Sequence, residues 1–246
     1  MPFDLGPGAA LWMAAAILVA AFVRGYSGFG YSAMVISASV LVMDPLDMVA
    51  VVVVLEMLMS AQAWRGAWPA VDWRRVGWLV GGAVIGLPLG LWALTAVSED
   101  VARAAIAGYV LVMCGVLLAG WRLQAEVKGP VNGAMGVISG IANAPGMAGL
   151  PVVAFFAAQP MAPAVFRATL IAYFPLLDLY SAPVYWAYGL VTWDTARAAL
   201  VAVPLTLLGN WLGGRHFFGT DPKDFRRFAI VVLAGLAALG LGKALL

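Results

Sequence analysis

The sequence predicts an all-α integral membrane protein, a polytopic helical bundle of two inverted repeats, each opening with a glycine-broken helix pair. Three observations predict it. Apolar residues make up 64% of the 246 and charged residues only 11%. The apolar residues fall in runs near the about 20 residues a helix needs to cross about 30 Å of hydrocarbon, and such runs neither alternate nor stop at barrel-strand length. Two of the runs are broken by glycine, at Arg24-Gly25-Tyr26-Ser27-Gly28-Phe29-Gly30 and between Ser139 and Gly149. Finally, features of the first half recur in the same order in the second.

In chain order, the first broken pair has limbs near 9–24 and 28–43, followed by helices near 46–64, 75–95 and 101–121. A polar joint covers 122–129. The second pair has limbs near 130–141 and 146–158, followed by helices near 163–188, 195–214 and 226–245. Asp44-Pro45, Trp68-Pro69, Ser98-Glu99-Asp100, Gln159-Pro160 and Asp221-Pro222 supply the stop signals between them. Met1-Pro2-Phe3-Asp4 lacks the basic start of a signal peptide, so the first apolar segment is expected to stay as structure.

The repeat divides the chain at 1–123 and 124–246, two halves of one membrane domain. Ser27-Gly28 corresponds to Ser139-Gly140, Pro45 to Pro160, Trp73 to Trp193, Gly86-x-x-x-Gly90 to Gly209-x-x-x-Gly213, and Arg103 to Arg226. If each broken run crosses once, the loop Lys and Arg divide almost evenly between the two sides. If each goes in and returns, nine (65, 74, 75, 122, 128, 215, 223, 226, 227) face three (103, 197, 243). The positive-inside rule selects the second arrangement, with the nine in the cytoplasm and both termini outside a bacterial cytoplasmic (inner) membrane. Each half then begins and ends on opposite sides, so the two are inverted.

Ionisable groups within apolar segments are expensive and mark functional sites or partners. Four stand out: Arg24, Glu56, Arg167 and Asp178. A break that returns at mid-depth aims helix N-termini inward, near Gly28 to Ser32 and near Pro145, where Pro145 suits a first helical turn. Exposed N–H groups and aligned dipoles there favour an anion, and the planar fork of Arg24 suits its oxygens. The expected binding set is Arg24, Ser27, Gly28, Gly30, Asn143, Gly146 and Arg167. For either arginine the alternative is a cation snorkelling from a helix end. Glu56 has two readings, a structural partner for an arginine or a proton carrier. Asp178, near Thr169, Tyr173 and Ser181, is expected to be a satisfied polar contact between helices. His216 is expected in a solvated joint, the glycine pairs at helix contacts, and Trp64, Trp68, Trp73, Trp186 and Trp193 at the membrane interface.

Other classes fare poorly. Gly25-Tyr26-Ser27-Gly28 has the form of an intramembrane serine protease, but that chemistry needs a histidine base, and His216 is the only histidine. Cys114 is the lone cysteine, which leaves no disulfide framework or cysteine-based metal site. No phosphate loop, cofactor motif or nucleic-acid surface is present. The expected partners are the lipid bilayer, a small anion and, as a candidate, a second copy of the chain in a homodimer.

The sequence resembles the TauE/SafE family of membrane exporters. The resemblance lies in Gly25-Tyr26-Ser27-Gly28-Phe29-Gly30, the glycine-rich stretch 136–149, the turns at Pro45 and Pro160, and Gly86–Gly90. Leu208-Gly209-Asn210-Trp211-Leu212-Gly213 followed by Phe225-Arg226-Arg227 completes it. Asn143-Ala144-Pro145 departs from the more glycine-rich centre of the family's second break. The resemblance implies export of sulfite, sulfoacetate or related organosulfonates, whereas the residues themselves imply only a small anion. An anion leaves a cell downhill in voltage by about 2.3 kcal/mol per charge per 100 mV, so uniport suffices and proton coupling through Glu56 is an added element. An anion channel is the alternative to a transporter.

Overall fold

The computed structural model describes residues 2–27 and 30–216, without the side chains of 26, 27, 62–67, 163, 164, 167, 214 and 216. Among these residues every regular element is helical: α1 (Pro7–Ser27), α2 (Tyr31–Ser39), α3 (Pro45–Ala67), α4 (Trp73–Thr95), α5 (Glu99–Ala119), α6 (Pro130–Asn143), α7 (Gly149–Ala157), α8 (Pro163–Ala187) and α9 (Trp193–His216). The expected helix near 226–245, with Arg226, lies outside the described residues.

The expected limbs correspond to α1 with α2 and to α6 with α7. The members of each pair are unequal. α1, α4, α5 and α9 are long and apolar enough to cross a membrane. α2 and α7 have nine residues each, about 14 Å of helix and less than half a hydrocarbon core. Both short helices lie deep in the protein. Every residue of α2 is buried, as are Leu150, Val152, Val153, Phe155 and Phe156 of α7.

The long helices cover them and turn apolar side chains outward. On α4, Leu79, Ala83, Leu87 and Leu91 are buried while Ile85, Leu89 and Trp92 on the opposite side are exposed. Exposed leucine and tryptophan in such a pattern fit a lipid-facing surface. Trp68, Trp73, Trp186 and Trp193 are also exposed, as interface anchors would be; the Trp64 side chain lies outside the description.

Two helix pairs meet backbone to backbone. α4 and α6 run parallel, with Gly82 beside Gly133 and Val137, Gly86 beside Val137 and Ile141, and Gly90 beside Ile141 and Ala144. A Cβ on Gly82, Gly86, Gly136 or Gly140 would overlap the facing backbone. α1 and α9 make the other close pair, through Gly25 against the Asn210 carbonyl and Gly209 against the Leu18 carbonyl. Small residues permit this approach, and close dispersion contact holds helices together in lipid.

Hydrogen bonds tie the ends of each broken pair together. Trp12, early in α1, donates from Nε1 to the Ala38 carbonyl near the end of α2 at 3.0 Å. Before α6, Leu123 N–H donates to the Ala158 carbonyl at 2.6 Å, and Val127 N–H donates to Gln159 Oε1 at 2.8 Å just after α7. Arg75 holds the same corner. It is buried and pairs with Asp72 at 2.9 Å and Glu126 at 2.7 Å.

Candidate functional site

The two breaks end in different ways and face one cavity. α2 starts after Gly30, whose φ of 92° is left-handed and suits glycine. α7 starts after a turn in which Gly146 has φ 73°. Here the expectation for Pro145 is corrected: it sits in the turn that follows α6, and α7 begins only at Gly149. The early part of the second break folds as a tight turn, with Gly146 N–H bonded to the Asn143 carbonyl at 2.8 Å and Met147 N–H to the Ala142 carbonyl at 2.8 Å.

Between them lies a narrow cavity lined by Arg24, Gly30, Ser32, Glu56, Asn143, Gly146, Ala148, Gly149, Phe174, Leu177 and Asp178. Its volume is only about 20 Å³, room for very few waters. The starts of α2 and α7 both face this space.

Arg24, in the last turn of α1, supplies the positive charge. Its guanidinium donates to Glu56 Oε1 at 2.7 Å and to Ser60 Oγ at 3.1 Å. Both ion-pair side chains are 12% exposed, so the pair is largely withdrawn from solvent and neither member snorkels. Glu56 lies midway along α3 and also interacts with the hydroxyl and backbone N–H of Ser32. Of its two expected readings, the arginine partner is the one this geometry contains.

The second break carries no charge of its own. Asn143 is buried, donates from Nδ2 to Ser181 Oγ at 2.7 Å, and its carbonyl accepts from the Tyr185 hydroxyl. Tyr173 donates to Ser139 at 2.8 Å, and Ser139 donates to the Ala148 carbonyl at 3.0 Å. Backbone freed from helical pairing inside a membrane protein needs such partners. Hydroxyls of α8 and α6 provide them.

Asp178 departs from expectation. The sequence predicts a satisfied interhelical contact, but the residue is 3% exposed, lines the cavity, and its Oδ2 has no hydrogen-bond partner. The nearby hydroxyl explains the difference: Ser181, one turn on in α8, spends its hydroxyl on the Leu177 carbonyl and on Asn143.

Of the predicted binding set, Arg24, Gly30, Asn143 and Gly146 come together at the cavity with Glu56. Ser27 closes α1 and Arg167 lies in the second turn of α8, with both side chains outside the description; Gly28 is outside it altogether. His216 ends α9, so its backbone continues a helix where a joint was expected. Ser32, which the sequence marks only as the start of the first inward-aimed limb, also surrounds the site, as do Ser60 and Phe174, which the sequence does not single out. Ser60 could have been found, being one turn beyond Glu56 on the same helix.

The family model described as sulfite exporter TauE/SafE matches residues 13–240. The chain is 30% identical over 230 residues, 86% of each chain, to a "Probable sulfite/organosulfonate exporter TauE" of Cupriavidus necator. No solved structure matches. With a match running from the first helix past the last described one, the chain belongs to the TauE/SafE family of membrane exporters.

Proposed function

We propose that this chain exports small sulfur-containing oxyanions, sulfite or an organosulfonate such as sulfoacetate, by alternating access across a bacterial cytoplasmic membrane. One observation carries the reading: the N-terminal ends of two short buried helices and one arginine face the same cavity. Helix N-termini present N–H groups and a partial positive charge, and the guanidinium fork matches sulfonate oxygens. The choice of sulfur anions comes from the name of the Cupriavidus necator relative and from the family.

Alternating access fits the narrowness of the cavity and the engaged state of Arg24. An anion larger than water enters only when the space widens and Arg24 gives up part of its contact with Glu56. The halves 1–123 and 124–246 are the moving bodies in this reading, related as inverted repeats. Its support is that α4 packs on α6 and α1 on α9, so that each half lends its long helix to the other's break. The bonds from Trp12 to Ala38 and from Val127 to Gln159 support broken pairs that enter and return on one side. Both chain ends then lie outside.

The test is anion efflux from proteoliposomes with sulfite, sulfoacetate and acetate, for wild type and Arg24→Ala. Saturable efflux of the sulfur anions that Arg24→Ala lacks, with acetate retained, is expected. Equal efflux by both proteins would move the site elsewhere, and non-saturating flux without countertransport would make the protein a channel.

A further inference from the structure

We propose that Asp178 is a proton-bearing member of this site: as a neutral carboxylic acid it donates a hydrogen bond to the bound oxyanion, so that anion and proton are held together. The proposal rests on reading the cavity as an anion site. It begins from a count of charges. Among the described residues the cavity is lined by one guanidinium, Arg24, and two carboxyl groups, Glu56 and Asp178. Glu56 has its counter-charge at 2.7 Å and the Ser32 donors besides. Asp178 has no ion pair and its Oδ2 has no donor, although it is 3% exposed and within electrostatic reach of both Glu56 and Arg24.

An ionised carboxylate buried without a partner is costly, and the group escapes that cost by taking a proton. Protonation does two things here. It removes the excess negative charge, so that an entering anion meets Arg24 and Glu56 as a neutral pair. It also turns an acceptor without a partner into an O–H donor, and an oxyanion supplies the acceptor that the protein does not.

Among the described residues the charged groups that reach Asp178 are Glu56 and Arg24, which are already paired with each other. α3 brings Glu56 and Ser60, α1 brings Arg24, and α6 brings the neutral Asn143. α7 contributes Ala148 and Gly149 to the cavity. On α8 itself Tyr173, Tyr180 and Tyr185 are the nearby titratable groups, and their hydroxyls are committed to Ser139, the Val84 carbonyl and the Asn143 carbonyl. The Asp72–Arg75–Glu126 cluster meets α8 at Thr169, nine residues from Asp178.

The experiment is methanesulfonate binding to the purified full chain in nanodiscs, by calorimetry from pH 5 to pH 9 in sodium-free buffers. Methanesulfonate keeps one negative charge across that range, so any pH dependence belongs to the protein. For wild type, Kd should rise by about tenfold per pH unit once pH exceeds the titration of Asp178. Paired buffers of different ionisation enthalpy should show uptake of up to one proton per anion there. Asp178→Asn keeps a donor without a titration and should bind with a flat pH profile; Asp178→Ala should bind more weakly than Asp178→Asn at every pH.

A wild-type profile that is flat with no proton uptake overturns the proposal, and that measurement needs no variant to fold. So does an Asp178→Asn profile that follows wild type, or binding that requires sodium in place of low pH. Absence of methanesulfonate binding by wild type at every pH would remove the anion-site reading itself, and this proposal with it.

Discussion

The two breaks solve one problem, an irregular backbone deep in a membrane protein, with different chemistry. At the first, a full charge is brought in and neutralised, Arg24 against Glu56 with Ser60 beside them. At the second, the carbonyls of Asn143 and Ala148 are met by the neutral hydroxyls of Tyr185 and Ser139. The contrast separates two tasks. Neutral caps hold a loop in shape at little electrostatic risk. An ion pair can be opened by an incoming anion, and the cost of opening it depends on what replaces Glu56.

The most severe way to break the comparison is to strip the charge from one side. Arg24→Ala leaves Glu56 largely buried without its cation, and removing one partner of a buried pair costs about 3–5 kcal/mol. The Arg24→Ala/Glu56→Ala double variant should recover much of that loss while still failing to transport. Denaturant unfolding in detergent of the two singles and the double measures the coupling. A double variant no more stable than Arg24→Ala would show that the pair does not set the stability of the first break.

How much of this could be read beforehand follows from the type of signal. Long apolar runs made the helices legible, and α3, α4, α5 and α8 begin and end within a few residues of expectation. Arg24 and Glu56 were visible because any charge in such a run is conspicuous. Their contact was only one of the readings, since 32 residues separate them and nothing local brings α1 to α3. Asp178 shows the limit most clearly. Thr169 and Tyr173 before it and Ser181 after it in the sequence suggest local partners, but all three bond elsewhere. Which hydroxyl serves which acceptor is decided by packing between helices, and a sequence does not print that. Pro145 failed for a related reason: a proline suits a turn as readily as a first helical turn.

A smaller effect tests what the breaks share. Each rides on a helix clamped by glycine, α6 on α4 and α1 on α9. Gly140→Ala and Gly25→Ala both place a methyl group against facing backbone, and overpacking of this kind costs about 1–3 kcal/mol. Gly81 has open space around it, so Gly81→Ala is the control; it should stabilise by up to about 1 kcal/mol through helix propensity. Thermal unfolding in detergent gives the order. If Gly140→Ala matched Gly81→Ala, the clamp on the second break would not be what positions it.

The gentlest change tests the neutral caps. In Tyr185→Phe the Asn143 carbonyl loses one donor but keeps the Gly146 N–H at 2.8 Å. The expected cost is therefore that of a single neutral hydrogen bond, about 0.5–1.5 kcal/mol, well below the Arg24 loss. No charge at the cavity changes, so the pH profile of methanesulfonate binding should keep its shape while hydrogen exchange of the 144–147 turn speeds up. That pairing of outcomes is what distinguishes a cap from a binding group. If Tyr185→Phe instead shifted the pH profile as Asp178→Asn is expected to, the tyrosine would belong to the charged network, and the division between a charged first break and a neutral second one would fall.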